Sequence, residues 1–275
     1  MNSLKRLIVN ADDYGVCREV NAAIEQLAEA GLLGGVSVLA NGAAWEQAAN
    51  FLRDHPAVSA GVHFNAVEGR PVSTAPEVNL LTGADRKFAG LAGLLKRWML
   101  RPIAVSRAVE IEWRAQIERL LQARVRLTHA DSHQHLHAFP PAFRCAARLC
   151  GAYGIWALRW PRECSGAPTR RAGTLALSAS LTTSRAITAG TALRHNDHFL
   201  GFKRAGVYGL AELVEDLAAL PDGLTELALH PSVADGMPYH QLRGDTERRA
   251  MLNASFLDHL ARLKIERLTW EMVAA

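Results

Sequence analysis

The chain alternates short apolar runs with longer segments in which apolar residues recur every three or four positions. Short runs of this kind predict β-strands, and the recurring pattern predicts amphipathic helices. We predict strands near residues 7–9, 36–39, 58–64, 125–130, 155–158, 226–229 and 267–270. We predict helices over residues 19–30, 45–53, 106–123, 141–153, 210–220 and 246–263.

This alternation predicts an α/β fold, with a mostly parallel sheet and helices outside it. About seven strands over this length favour a closed or nearly closed, distorted TIM-like (β/α) barrel over an open sheet. We expect residues 1–275 to form a single domain. Residues 65–105 break the rhythm and are predicted to be an insertion or lid near the site, whereas residues 161–209 allow no clear assignment.

Composition narrows the classes of partner. The chain is 49% hydrophobic and carries a net charge of +4, but it contains no motif typical of nucleic-acid-binding proteins, so we predict no nucleic-acid partner. Its four cysteines form no C-x-x-C pair, and its first apolar run is too short for a signal peptide. We therefore expect a cytoplasmic protein. The sequence leaves the oligomeric state open, a dimer included.

Two polar clusters follow predicted strands in the first quarter of the chain. In NADDYG (residues 10–15) the adjacent carboxylates of Asp12 and Asp13 repel each other, and they need a cation or a raised pKa to coexist. The alternative is that one of them caps the next helix. In GVHFN (residues 61–65), His63 ends an apolar strand, where a histidine taken alone is more commonly structural.

Two more clusters lie further along the chain. THADSHQHLH (residues 128–137) holds four of the 11 histidines and an aspartate, a pattern typical of metal binding, although a solvated loop is the alternative. In LHP, His230 ends an apolar strand and Pro231 stops it.

All four clusters follow strands, so a barrel would bring them to its C-terminal rim. One carboxylate and two imidazoles with open positions are typical of a catalytic metal site. We predict one divalent ion, for which Zn²⁺ fits best and Mg²⁺, Mn²⁺ or Co²⁺ stay open.

The motifs NADDYG, GVHFN, THADSHQHLH and LHP, in this order, resemble the YdjC/ChbG-like carbohydrate deacetylases. The resemblance implies a distorted TIM-like barrel that removes acetyl groups from N-acetylated sugars. It implies that the metal ligands are Asp13, His63 and His133. It also implies that Asp12 is the general base and His230 the acid. The stretch EGRPV (residues 68–72) resembles the hopanoid-associated HpnK branch as well.

Further residues near these strand ends are weaker candidates. His129, Asp131 and His135 can orient the ligands or serve only as a hydrogen-bonded scaffold. Sugar recognition needs aromatic faces and hydrogen-bonding groups, and the candidates for it are Tyr14, Asn65, Phe64, Trp156, Arg159 and Trp160. The tryptophans are equally well explained as core residues.

Two other functions remain open at this point. One is another metal-dependent amidase, such as a deformylase acting on a nucleotide- or lipid-linked sugar. The other is a metal-stabilised glycan-binding protein without turnover, against which the presence of both Asp12 and Asp13 argues, because a binding protein has no need of a spare base.

Residues 86–107 carry six basic and no acidic side chains among leucines, a tryptophan and a methionine. Such a segment can lie on an anionic membrane, which would place the protein peripherally at the inner membrane face and near lipid-linked glycans. The alternative is a lid or barrel helix whose apolar side faces the core and whose basic side is solvated.

Overall fold

The computed structural model describes residues 4–164, 192–234 and 243–274. Its strands are β1 Lys5–Tyr14, β2 Gly35–Val38, β3 Ala60–Phe64, β4 Leu127–Ser132, β5 Ala157–Leu158, β6 His198–Leu200, β7 Gly223–Leu229 and β8 Ile265–Arg267. Its α-helices are α1 Arg18–Glu29, α2 Trp45–Asp54, α3 Gly90–Leu100, α4 Pro102–Gln122, α5 Pro140–Tyr153, α6 Leu210–Ala218, α7 Gly244–Leu252, α8 Ser255–Arg262 and α9 Trp270–Ala274. Two 3₁₀ segments cover Pro76–Leu81 and His133–Ala138.

The described strands pair in parallel in the order β5-β4-β3-β2-β1-β7-β6. Strand β8 pairs with the first residues of β1, whereas β2 pairs with its last residues. The two ends of this path approach each other after β5, where Glu163 forms a parallel bridge to Phe199 of β6. The sheet therefore curls into a distorted barrel with helices around it, and the predicted fold class is confirmed.

Strand β1 differs from the prediction in a way that matters for the site. It runs from Lys5 to Tyr14 and so contains both Asp12 and Asp13. The cap position of α1 is occupied by Cys17, and the helix-cap interpretation of the two aspartates is therefore wrong.

Other elements also depart from the sequence pattern. The predicted helix over 246–263 is two helices that break at Asn253 and Ala254. The last strand ends at Arg267 rather than reaching Trp270, which begins α9. Strand β6 lies in the part of the chain that had no assignment, and residues 165–191 of that part lie outside the described residues.

The interior of the barrel changes from apolar to polar along its axis. At the amino ends of the strands, Ile8, Leu224 and Trp270 pack together and close the bottom. Above them the residues that point inward are polar, beginning with Asn10 and His129. Trp270 stacks on the His129 ring with centroids 5.0 Å apart. The apolar floor supports the polar groups above it from below.

The segment 65–105 contains the first 3₁₀ segment and α3, and it packs on α4. The carboxylate of Glu112, fully buried in α4, accepts hydrogen bonds from the backbone N–H groups of Val72 and Ser73, both at 2.9 Å. These bonds fix the segment to the barrel, while its role as a lid stays a prediction. Within the described residues, no helix combines the length and apolarity that crossing a membrane requires.

Candidate metal and catalytic site

A bulge at the end of β1 brings both aspartates to the site. The register between β1 and β2 shifts between Ala11 and Tyr14, and Asp13 has a φ of 61°. Without this shift the alternation of a strand would send neighbouring side chains to opposite faces. The bulge instead allows Asp12 and Asp13 both to reach the interior, where each is 1% exposed.

Asp13 meets two histidines from different strands. One of its carboxylate oxygens, Oδ1, lies 3.0 Å from Nδ1 of His133 and 3.3 Å from Nε2 of His63. Burial acts to raise the pKa of Asp13, but the two histidines hold it well below its usual value. The three residues therefore converge on a single point at the carboxyl ends of β1, β3 and β4.

A carboxylate holds the other ring nitrogen of each of these two histidines. Asp131 lies 2.7 Å from Nδ1 of His63, and Glu68 lies 3.0 Å from Nε2 of His133. Burial disfavours the charged rings, yet the carboxylates outweigh it and raise the pKa to about 10 for His63 and to about 9 for His133. A carboxylate on the outer nitrogen fixes the tautomer of a metal-binding histidine and makes it more basic.

Two sets of buried side chains have the spacing of metal ligands: Asp13 with His63 and His133, and Asp12 with His63 and Asp131. In the second set, Arg159 already forms ion pairs with both carboxylates, at 2.7 and 2.6 Å. A guanidinium in that position repels a second cation. The first set therefore fits a divalent ion, and its donors are of the types that Zn²⁺ prefers.

Arg159 lies at the centre of the polar interior and is completely buried. It donates one hydrogen bond to each oxygen of Asp12, both at 2.7 Å. Its Nε donates to Glu226 of β7 at 2.8 Å, while burial raises the pKa of Glu226 to about 7 against the influence of Arg159. Arg159 thus fixes the orientation of Asp12, while the substrate role considered for it from the sequence stays a prediction.

Two other histidines of the THADSHQHLH motif lie inside the protein, away from the cation position. His129 contacts Thr128 at 2.8 Å and Asn10 at 3.1 Å. His137 contacts the Ser132 hydroxyl at 2.6 Å and the carbonyl of Arg159 at 3.0 Å. Burial lowers the pKa of His129 to about 3 and that of His137 to about 4, so both are neutral near pH 7. The solvated-loop interpretation of the motif is wrong.

His135 and His230 lie close enough to influence each other electrostatically. The His135 ring packs edge-on against Phe199 with centroids 5.2 Å apart, and burial lowers its pKa well below the usual value, with a further contribution from His230. His230 is half-buried at the end of β7. Its backbone N–H donates to the buried carboxylate of Glu247 at 2.6 Å, which holds this strand end in place.

Three weaker sequence candidates lie elsewhere. The Tyr14 hydroxyl donates to Glu25 of α1 at 3.1 Å, because the bulge turns Tyr14 outward. Trp160 is 8% exposed and packs against the helix α5. Asn65 is buried, and its side-chain oxygen accepts hydrogen bonds from the backbone of residues 67 and 68. Asn65 therefore shapes the loop that carries Glu68, and its substrate role stays a prediction.

Sequence reasoning missed Glu68 and Glu226 as members of the site. Glu68 lies in the insertion, where no periodic pattern indicates which side chains point inward. Glu226 interrupts the apolar run GLTELAL of β7. A lone acidic residue within a buried strand is the signal that could have revealed it, because such a group needs a charged partner.

The sequence model of one protein family, described as YdjC-like protein, matches residues 6–262. The chain belongs to the YdjC-like family. A carbohydrate deacetylase of Brevibacillus brevis is 29% identical over 96% of this chain and 98% of its own length. A carbohydrate deacetylase of Homo sapiens is 31% identical over 82% of this chain and 74% of its own length. A chitooligosaccharide deacetylase of Salmonella paratyphi B is 35% identical over 57% of this chain and 60% of its own length.

Solved structures support the YdjC-like fold. A protein of Enterococcus faecalis V583, proposed to cleave cellobiose phosphate, superimposes with a TM-score of 0.77 at 20% identity, covering 98% of this chain and 99% of the other. A mutant of a CE4 family pseudoenzyme with restored activity gives a TM-score of 0.51 at 9% identity, over 99% of this chain and 68% of the other. At these identities the likeness concerns the fold alone.

Proposed function

We propose that this YdjC-like protein is a hydrolase that removes the acetyl group from N-acetylated amino sugars with the help of one divalent metal ion. One observation carries the proposal: two imidazoles from different strands converge on one oxygen of Asp13, and each is backed by its own carboxylate. The deacetylase names of the relatives supply the substrate class, N-acetylated carbohydrates.

We assign Asp13, His63 and His133 as the metal ligands. His63 would use Nε2 and His133 would use Nδ1, because Asp131 and Glu68 hold the opposite ring nitrogens. These three residues would hold a divalent ion, which would supply a lowered pKa of bound water and polarisation of an amide carbonyl. Zn²⁺ suits this mixed nitrogen and oxygen set best.

Asp12 is the proposed general base. Its Oδ1 accepts hydrogen bonds from both Asn10 and Arg159, whereas its Oδ2 accepts one from Arg159. Oδ2 therefore keeps room for one more donor, and we assign the proton of the attacking water to this atom. Because Arg159 donates a hydrogen bond to each oxygen of Asp12, the Asp12 carboxylate is held beside the proposed ligand Asp13.

His230 is the proposed acid. An amine leaves an amide only after its nitrogen is protonated, and imidazole delivers a proton near neutral pH. His230 follows β7, the strand that pairs with β1, directly after the register pair of Ala11 and Leu229, so it lies at the strand end adjacent to Asp12. The bond from its backbone to Glu247 fixes the strand end, and the residue as a whole is half-buried.

These contacts are compatible with a free sugar and with a lipid- or nucleotide-linked glycan, and all of these substrates belong to the same proposal. We further propose that the insertion 65–105 acts as the lid of the site. Asn65 orders the loop that brings Glu68 to His133, which places the start of this insertion directly on the rim.

Acetate release tests the proposal. The purified protein, loaded with zinc, is incubated with N-acetylglucosamine oligomers, and acetate and free amine are measured with and without chelator. We expect equal amounts of acetate and amine, both lost with chelator and restored by added metal. Formate from an N-formyl sugar without any acetate would instead indicate a deformylase, and no turnover on any linked or free sugar would favour a binding protein.

A further inference from the structure

Helices α3 and α4 meet at an exposed turn. Arg101 is the residue between them and caps both helices. Around it, Met99, Leu100 and Ile103 are 77%, 71% and 85% exposed, which makes them the three most exposed large hydrophobic side chains in the described part of the chain. Single exposed apolar residues are ordinary, but a contiguous group of this kind marks an interaction surface. We call these three residues the corner.

The corner is not the core-facing side of these helices. That side consists of Leu94, Trp98 and Val105, which are at most 2% exposed. The indole N–H of Trp98 donates to Ser106 at 2.8 Å and ties α3 to α4. The alternative drawn from the sequence, a helix with its apolar side inward, explains these three residues but leaves the corner unexplained. The corner therefore projects from a fixed helix pair.

The surroundings of the corner are basic. Lys96, Arg101 and Arg107 are exposed, and residues 86–107 contain no acidic side chain. Among the described residues, only Arg107 of these three forms an ion pair, with Glu77 at 3.7 Å. Exposed basic side chains beside the apolar corner are complementary to an anionic lipid bilayer, which has negatively charged headgroups at its surface and hydrocarbon beneath them.

A second copy of the chain fits this surface less well. A two-fold contact through the corner would place each patch against its own copy, as isologous interfaces do. Lys96 and Arg101 would then face other cations, and like charges across an interface disfavour association. Charge complementarity points instead to an anionic partner.

We propose that the corner docks on an anionic lipid bilayer, with Met99, Leu100 and Ile103 entering the headgroup region and Lys96 and Arg101 contacting the lipid phosphates. The inference stands apart from the proposed deacetylase activity, since it rests on surface residues alone. Backbone hydrogen bonds from Phe88 to Gly69 and from Gly90 to Val67 join α3 to the loop of Glu68. The corner and the rim of the site therefore belong to one hydrogen-bonded segment.

Vesicle sedimentation tests the docking with the full chain. Wild-type protein is mixed at low salt with phosphatidylcholine vesicles that contain or lack phosphatidylglycerol. We expect sedimentation with the anionic vesicles, little with the neutral ones, and release by added salt because exposed charges are screened. Two variants remove the parts separately: Met99→Ser/Leu100→Ser/Ile103→Ser and Lys96→Gln/Arg101→Gln. Each should weaken binding by about tenfold or more.

The matched control is Leu257→Ser/Met272→Ser, which removes two apolar side chains that are 44% and 59% exposed elsewhere. It should bind vesicles as the wild type does. Failure of the wild-type protein to bind anionic vesicles overturns the proposal, as does equal loss in the corner and control variants. A dimer in solution that the corner variant dissociates would show that the surface binds a second copy instead. Circular dichroism of every variant checks that each is folded, so that a loss of vesicle binding reports on the surface alone.

Discussion

His133 and His137 are four residues apart in one motif and equally buried, yet the structure gives them opposite properties. His133 touches the carboxylates of Asp13 and Glu68, and its pKa is raised to about 9. His137 touches a hydroxyl and a carbonyl, and its pKa is lowered to about 4. The partners of a histidine, rather than its burial or its position in the sequence, therefore decide which histidine of a dense motif can bind a cation.

The same contrast separates two regions of the barrel. At the rim, His63 and His133 each have two carboxylates within hydrogen-bond or ion-pair distance. In the interior, the His129 ring stacks on Trp270 and lies over Gly61, where a Cβ would come within 2.4 Å of its Nε2. The rim histidines are surrounded by carboxylates that stabilise a positive charge, whereas the interior histidine fills the space beside a glycine.

The largest expected effect follows from removing the charge shared by the rim pair. Asp13→Asn leaves the shape of the side chain but takes away the anion on which His63 and His133 converge. We expect loss of bound metal together with nearly all turnover, measured by elemental analysis and acetate release. A variant that keeps a full complement of metal would show that the cation lies in the other set, with Asp12 and Asp131.

Asp12→Asn tests the neighbouring carboxylate. The amide oxygen can still accept one of the two hydrogen bonds from Arg159 and the side chain keeps its shape, so the fold and the metal should be retained. It cannot accept the proton of water, and we expect turnover to fall about 10²–10⁴-fold, the usual contribution of a general base. Near wild-type turnover with full metal content would move the role of base to another residue.

A smaller effect is expected at Glu226, which reaches Asp12 only through Arg159. Glu226→Met removes the oxygen that Arg159 Nε contacts, and we expect kcat to fall about tenfold with KM and metal content unchanged. Glu226→Gln keeps an oxygen acceptor and should restore most of the rate. Equal losses in both variants, or a parallel loss of thermal stability, would make Glu226 merely structural.

The smallest expected effect is the release of protons when the metal ion binds. In the metal-free protein the raised pKa values of His63 and His133, about 10 and about 9, keep both rings protonated at pH 7. Metal binding must displace these protons, so affinity should rise with pH until it passes those values. Calorimetry in buffers of different ionisation enthalpy should show about two protons released at pH 7. No proton release would contradict the difference drawn between rim and interior.

Much of this arrangement follows from the sequence. Strand and helix periodicity predicted the barrel, and the position of each polar cluster after a strand predicted that the four clusters would meet at one rim. The family resemblance, rather than position, singled out Asp13, His63 and His133 among them. The outward turn of Tyr14 could not be predicted, since it depends on a bulge at Asp13 that no periodicity reveals.

The partners of the rim histidines were harder to foresee. Glu68 reaches His133 from a loop without regular structure, and the length of that loop does not show where its side chains point. Arg159 was expected near the substrate because it follows a strand. Its burial among Asp12, Asp131 and Glu226 depends on three other strands of the closed barrel, which only the three-dimensional arrangement reveals.

The assignment of the metal site is tested by comparing the metal content of His133→Gln and His137→Gln after zinc loading and gel filtration, with circular dichroism to confirm that both are folded. Glutamine is polar at both positions and can keep the hydrogen bond that His137 makes to the carbonyl of Arg159. We predict that His133→Gln loses its zinc and that His137→Gln retains about one ion per chain. Folded variants with equal zinc content would contradict the claim that carboxylate partners set the metal site.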